Sequence, residues 1–239
     1  MSDAVIWHDV ECGSYSADLP LWRELAGREN GPILDLGAGT GRVALDLAGH
    51  AYELTALDTD PLLLDALAAR AAARGVRVEC VVADARELAL DGFTLVLAPM
   101  QLLQIVGGRT GRDAVLKGVA AALMPGGEFA AAIADVDESL AANDAWAPLP
   151  DVSERDGWVY SSQPTAVRPE PGGVAVERLR QRVSPAGELE EERHTQWLDS
   201  LTADELEREA ARHGLQVVER HEIAPTADHI GSMVVVCRH

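Results

Sequence analysis

The chain has 239 residues, of which 47% are apolar and 25% charged; this composition fits one large folded domain and excludes a disordered or fibrous chain. The 20 basic against 39 acidic residues leave a formal charge of −19, a field that repels phosphate backbones and anionic lipid, so neither nucleic acid nor membrane is an expected partner. Cys12, Cys80 and Cys237 show no metal-binding spacing and suit a reducing compartment. There is no apolar run of about 18 residues to span a membrane, and the acidic stretch Met1–Pro20 carries no apolar signal core, so a cytoplasmic protein is expected.

In chain order, residues 1–30 read as an N-terminal arm followed by a short helix that Asp18 caps and that carries Leu21, Trp22 and Leu25. The arm before Asp18 has no core pattern of its own and reads as exposed. Pro32–Leu36 predicts a first strand, followed by a glycine turn and a helix from Gly41 to Gly49. Leu54–Asp58 predicts a second strand. Asp60-Pro61 opens the next helix as cap and first-turn proline, and Gly75 offers a left-handed stop. Val76–Ala83, Phe93–Ala98 and Glu128–Ala134 predict three more strands, the second apolar on both faces and so central. Strand–helix repeats of this kind build a parallel sheet with right-handed crossovers.

The pattern changes after about residue 150. Trp158–Gln163, Val174–Val183 and Leu189–Leu198 predict three strands without helices between them. Arg168-Pro169-Glu170-Pro171-Gly172-Gly173 and Ser184-Pro185-Ala186-Gly187 are the breaks. This is an antiparallel meander over 150–198, read either as a substrate lid or as a dimer contact. Thr202 and Glu205 form a capping box, with Leu201 and Leu206 as its hydrophobic staple. Two last strands follow, Gln216–Ile223 and Ser232–Arg238. The whole chain, 1–239, reads as a single domain.

The strongest chemical signal is Asp35-Leu36-Gly37-Ala38-Gly39-Thr40-Gly41, placed between a strand and its helix. Glycines let the chain turn sharply and let a ligand come close to the backbone. The third glycine follows the second by two residues, so the loop departs from the dinucleotide fingerprint. Asp58 and Asp84 end the next two strands, where Asp58 can take both hydroxyls of a ribose and the Ala85 N–H can meet an adenine ring. Asp35–Gly41, Asp58, Asp84-Ala85 and Leu123–Glu128 together resemble the ordered motif set of class I S-adenosylmethionine-dependent methyltransferases of the small-molecule type, over roughly residues 15–135 plus the last helix and strands.

The resemblance implies a doubly wound, Rossmann-like α/β sheet of seven strands in the order 3-2-1-4-5-7-6, the last strand antiparallel, with the meander inserted. It implies S-adenosyl-L-methionine as cofactor, leaving S-adenosyl-L-homocysteine, and a small-molecule acceptor methylated on O or N. Gly37, Ala38, Gly39 and Gly41 would run under the methionine part. Asp35 would stand near the sulfonium or amino group, Asp58 and Thr59 at the ribose, Asp84 and Ala85 at the adenine, and Pro99 and Met100 against the cofactor. Tyr15 either closes over the cofactor or anchors its helix. Gln101 and Gln104 either face the acceptor or cap the following helix. Trp158, Tyr160, Arg193 and Trp197 bring aromatic and basic groups to the meander; Arg193 and Trp197 share one strand face and His194 points to the other. His194 is the first candidate for a base and His8 the second, the alternative for His8 being a solvated terminal residue. A protein that binds the cofactor without methyl transfer, and an NAD-dependent oxidoreductase, are the competing readings. The protein is expected to act as a monomer or homodimer.

Overall fold

The structure is a computed structural model and describes residues 2–28, 31–134, 149–226 and 230–239. Helices α1 (Asp3–Cys12) and α2 (Leu19–Arg28) precede β1 (Ile33–Leu36), α3 (Arg42–Gly49), β2 (Leu54–Asp58), α4 (Pro61–Arg74), β3 (Val78–Val82) and β4 (Phe93–Ala98). Then come α5 (Leu102–Ile105), α6 (Gly108–Ala122) and β5 (Leu123–Ile133). Strands β6 (Asp151–Arg155), β7 (Trp158–Glu170), β8 (Gly173–Val183) and β9 (Leu189–Asp199) are followed by α7 (Ala203–Ala211), β10 (Gln216–Ile223) and β11 (Ser232–Arg238).

The main sheet has seven strands in the order β3-β2-β1-β4-β5-β11-β10. The first five are parallel to one another, and β11 runs antiparallel to both neighbours, as the motif set implied. All four residues of β1 are buried because helices cover both faces. On one face Leu34, Val96, Phe129 and Val235 pack with Val115, Leu116 and Val119 of α6 and Leu206 of α7. On the other, Ile33, Leu95, Ala130 and Val234 meet Trp22 and Leu25 of α2 and Val43 and Leu47 of α3. Local signals hold where they were read: Asp60 caps α4 with Pro61 in its first turn, Gly75 ends it left-handed, and Thr202 with Glu205 closes the capping box of α7.

Four local expectations change. The arm is a helix, α1, with Val5, Trp7 and Val10 buried. These three do not share one stripe, because α4 covers α1 from one side and β6 and β7 from another, so no single amphipathic face was there to read. The partners of the Asp18 side chain among the described residues are other side chains: it accepts from Trp22 Nε1 at 2.7 Å and takes both terminal nitrogens of Arg42 at 2.6 and 2.8 Å. The meander has a fourth strand, β6, paired antiparallel with β7. Finally, Arg168–Glu170 belong to β7, and the chain reverses only at Pro171-Gly172, where Gly172 has φ +89°.

The four-stranded sheet is tied to the rest by charge. Glu11 receives Arg180 and Ser162, Asp9 faces Arg155, and Asp3 faces Arg182. At its other end Asp199 accepts from Gly108 N at 2.7 Å, from Trp197 Nε1 at 2.8 Å and from Arg112 at 3.3 Å, while Arg112 also donates twice to Glu209.

Candidate active site

The glycine loop leaves the carboxyl end of β1, where parallel sheets place their ligands. Gly37, Gly39 and Gly41 all have positive φ, at +66°, +55° and +92°, but a side chain would meet something different at each. A Cβ on Gly37 would lie 3.0 Å from Leu102 Cδ1, and one on Gly41 would lie 2.6 Å from Leu67 Cγ. Those two positions are glycine because apolar neighbours crowd them. A Cβ on Gly39 would lie 2.0 Å from Nε2 of His8, so the imidazole rests directly on the loop at its middle glycine.

Two carboxylates organise this loop. Asp58, at the end of β2, accepts from Gly39 N at 2.8 Å and from Asp60 N at 2.9 Å, joining the loop to the next strand. Asp35 is 1% exposed, and among the described residues neither of its oxygens has a hydrogen-bond partner. Burial pushes its carboxyl up to about 7, against the opposing pull of the Arg42 charge and of the nearby Ala44 amide, which falls short of hydrogen-bond geometry. Asp84 follows β3 by two residues and lies near the end of β2, since Ala83 N donates to Asp58 O at 3.0 Å. It caps the short turn at Ala85 and takes the exposed Arg86, whose hydrogen bond holds the Asp84 carboxyl below its usual range. The three acids therefore stand at or just past the carboxyl ends of β1, β2 and β3; Ala38 and Ala85 are buried and Thr59 is exposed. Pro99 and Met100 follow β4, and Met100 has φ +54°, an uncommon state for a residue with a side chain.

Of the other expected residues, Tyr15 stacks under Arg42, 5.2 Å from the guanidinium carbon to the ring centre, and its hydroxyl meets Ser232. This places it beside the loop at the start of α3. Gln101 stands at the head of α5 without a side-chain capping bond. Gln104 does not face an acceptor: it is fully buried, donating to Ala134 O and Asp199 O at 3.0 Å each and accepting from Ala134 N at 2.8 Å. Its whole amide is used to join β5 to β9.

The meander residues do not form one cluster. Trp158 stacks on Tyr160 at 6.4 Å, and Tyr160 meets Trp7 edge-on at 5.9 Å, making an aromatic seam with α1. Tyr160 pairs with Arg182, and Arg182 with Glu190, so this seam lies on the His194 face. Arg193 and Trp197 face the other way; Arg193 is exposed and Trp197 is bonded to Asp199. His194 lies near Arg180, Glu11 and Glu192, with burial and Arg180 lowering its pKa. The histidine at the glycine loop is therefore His8, half-buried rather than a solvated terminal residue, and burial lowers its pKa. Sequence reasoning passed over Thr40, Asp9 and Arg70, which hold His8 in place. Thr40, a polar residue inside a glycine loop, was the one signal available.

Residues 33–127 match a family model described as a methyltransferase domain. A ribosomal protein L11 methyltransferase from Symbiobacterium thermophilum is 33% identical over 144 residues, 58% of this chain, and the match spans 45% of that relative's length. In fold, the chain is similar to DesVI of Streptomyces venezuelae (18% identity, 98% of each chain, TM-score 0.76). It is also similar to the sugar N-methyltransferase of Streptoalloteichus sp ATCC 53650 (16% identity, 100% and 94% covered, TM-score 0.75). A third similar fold is the SAM-bound amino pentose methyltransferase of Micromonospora echinaspora (18% identity, 100% and 98% covered, TM-score 0.73). Its sheet order and these likenesses give the chain the fold of the S-adenosylmethionine-dependent methyltransferase structures, and the match to the methyltransferase-domain model is carried by residues 33–127. Among the described residues no helix is long and apolar enough to cross a membrane.

Proposed function

We propose that the protein transfers a methyl group from S-adenosylmethionine to a nitrogen or oxygen of a small-molecule acceptor. The observation that carries this reading is Asp35, a fully buried carboxyl whose oxygens meet no hydrogen-bond geometry among the described residues and have only the Ala44 amide and the Arg42 charge near them, set at the glycine loop with Asp58. A carboxylate in such surroundings favours a cation next to it. The cofactor's ammonium, sulfonium and ribose hydroxyls are cationic or hydrogen-bond donors and suit these acids, whereas the pyrophosphate of a dinucleotide would meet like charge. When bound, the cofactor supplies a methyl on a positive sulfur for in-line displacement. The residues named here bind and orient it: Asp35 on the ammonium side, Asp58 at the ribose, Asp84 with the Ala85 N–H at the adenine, and Tyr15, Pro99 and Met100 around the rim.

A nitrogen acceptor is the preferred form of the reading. Two of the similar structures are of proteins described as acting on sugar nitrogen or an amino pentose, and a chain of charge −19 draws in amine cations, which give up a proton to solvent so that the neutral nitrogen's lone pair attacks the methyl. Orientation and exclusion of water then carry most of the catalysis. A cytoplasmic location, with Cys12, Cys80 and Cys237 as free thiols, belongs to the same proposal.

Isothermal titration of the folded protein with S-adenosylhomocysteine and with NAD tests the cofactor. The first is expected to bind and the second not; the reverse result overturns the reading. Asp58→Ala removes a charged acceptor worth about 1.5–3 kcal/mol and frees the Gly39 amide, so S-adenosylhomocysteine affinity should fall at least tenfold. Unchanged affinity in a folded variant would take Asp58 out of the site. Transfer of labelled methyl into an amine-containing metabolite pool separates an enzyme from a protein that only holds the cofactor.

A further inference from the structure

His8 is wired to the glycine loop through a chain of groups whose donors can be counted. Arg70 gives two N–H groups to Asp9, Nη1 to Oδ1 at 2.9 Å and Nη2 to Oδ2 at 2.5 Å, and also reaches Thr40 O at 3.3 Å. The Thr40 hydroxyl donates its one proton to Asp9 Oδ1 at 2.8 Å. Against the upward push of burial, Arg70 and Thr40 hold the Asp9 carboxyl below its usual range, so it is an acceptor only. Thr40 Oγ1 has then no proton left for Nδ1 of His8, 3.2 Å away, and can only accept from it. Nδ1 must carry the ring proton, and Nε2 presents a lone pair to the loop at Gly39. Free neutral imidazole prefers the opposite tautomer; the bond at the other nitrogen decides which one a protein holds.

We propose that His8 is a ligand-facing hydrogen-bond acceptor of the glycine-loop site, with Thr40, Asp9 and Arg70 as the positioning residues that fix its tautomer. It takes a donor group, an ammonium or a hydroxyl, of the molecule that lies across Gly39. This rests on the cofactor reading above and adds a third acceptor to Asp35 and Asp58. The balance of the groups facing the imidazole favours a neutral, accepting ring. Arg70 of α4 and burial oppose its protonation, and Asp58 of β2 with Asp9 and Glu11 of α1 favour it, the burial effect being the largest. The arrangement also explains why residue 39 is glycine: any side chain there would occupy the place of the imidazole.

The test uses the full chain with nitrogen-15-labelled histidine. Ring nitrogen shifts of His8, assigned by comparison with His8→Gln, are expected to show Nδ1 protonated and Nε2 bare near pH 7.5. Adding S-adenosylhomocysteine should move the Nε2 resonance in the direction of an accepted hydrogen bond. Thr40→Val should return the ring to the Nε2-protonated form and weaken S-adenosylhomocysteine three- to tenfold by calorimetry, and Thr40→Ser should restore both. If Thr40→Val does not fold, Asp9→Asn reads the same chain from the other side of the hydroxyl, with the same expected tautomer change. An Nε2-protonated ring in the wild type overturns the proposal. So does binding of S-adenosylhomocysteine that leaves the His8 ring unmoved, and in both cases the cofactor reading stands. A folded wild type that binds no S-adenosylhomocysteine overturns the cofactor reading and the ligand role of His8 together.

Discussion

Replacing Arg112 by alanine is expected to remove about 3–5 kcal/mol of folding stability. The guanidinium is 7% exposed and stands between two carboxylates, Asp199 of β9 and Glu209 of α7, each 11% exposed. Removing it leaves Asp199 buried without its cation and Glu209 with only the exposed Arg109 at 4.0 Å, the costly half of a buried ion pair. The damage is not confined to α6, because Asp199 also receives Gly108 N and Trp197 Nε1 and so anchors the end of the meander. Urea unfolding of Arg112→Ala beside the wild type measures the loss. The variant Arg112→Met with Asp199→Asn and Glu209→Gln removes all three charges and should recover most of it. A loss below about 1 kcal/mol for Arg112→Ala, the range of an exposed pair, would mean the network is solvated.

The second large effect is a dependence of stability on pH that runs opposite to that of ordinary carboxylates. Burial raises Asp35 from 3.8 in the unfolded chain to about 7 in the fold. The folded state therefore binds the proton more tightly, and stability falls as pH climbs from about 4 to about 7. If fully expressed, a displacement of this size corresponds to about 4 kcal/mol. Asp35→Asn carries no charge to desolvate, so it should be the more stable protein at pH 8 and lose its advantage near pH 4. Equal slopes for wild type and variant across that range would show that Asp35 ionises in the fold as easily as in water. The same group gives the ligand a pH dependence. An ammonium beside Asp35 needs the carboxylate form, so S-adenosylhomocysteine affinity should rise as pH passes through about 7 in the wild type and not in Asp35→Asn.

The scaffold of the site was legible in the chain because its signals are local. Strand, glycine turn and helix follow one another within Pro32–Gly49, and Asp58 and Asp84 stand at or just past the ends of their strands as the apolar runs stop. Caps such as Asp60-Pro61 and Thr202 with Glu205 involve only neighbours in sequence, and they formed as read. The sheet order followed from the motif resemblance, and the antiparallel pairing of β11 with β5 agrees with it.

What the sequence by itself determined, then, is which segments become strands and helices and which acids stand at the strand ends, since backbone sterics and hydrophobic periodicity act over a few residues. What only the tertiary structure decided is which side chains meet. His8 read as a second candidate base or a solvated terminal residue because nothing near it in sequence says that α1 is gripped by Arg70 of α4 and by the arginines of β6 and β8. Gln104 read as facing the acceptor or capping the next helix because its partners, Ala134 and Asp199, lie 30 and 95 residues away. Trp158 and Tyr160 separated from Arg193 and Trp197 because the register of β7, β8 and β9 turns them to opposite faces. Each of these is a contact between distant segments, set by how the chain packs against itself and not by the preferences of the residues that make it.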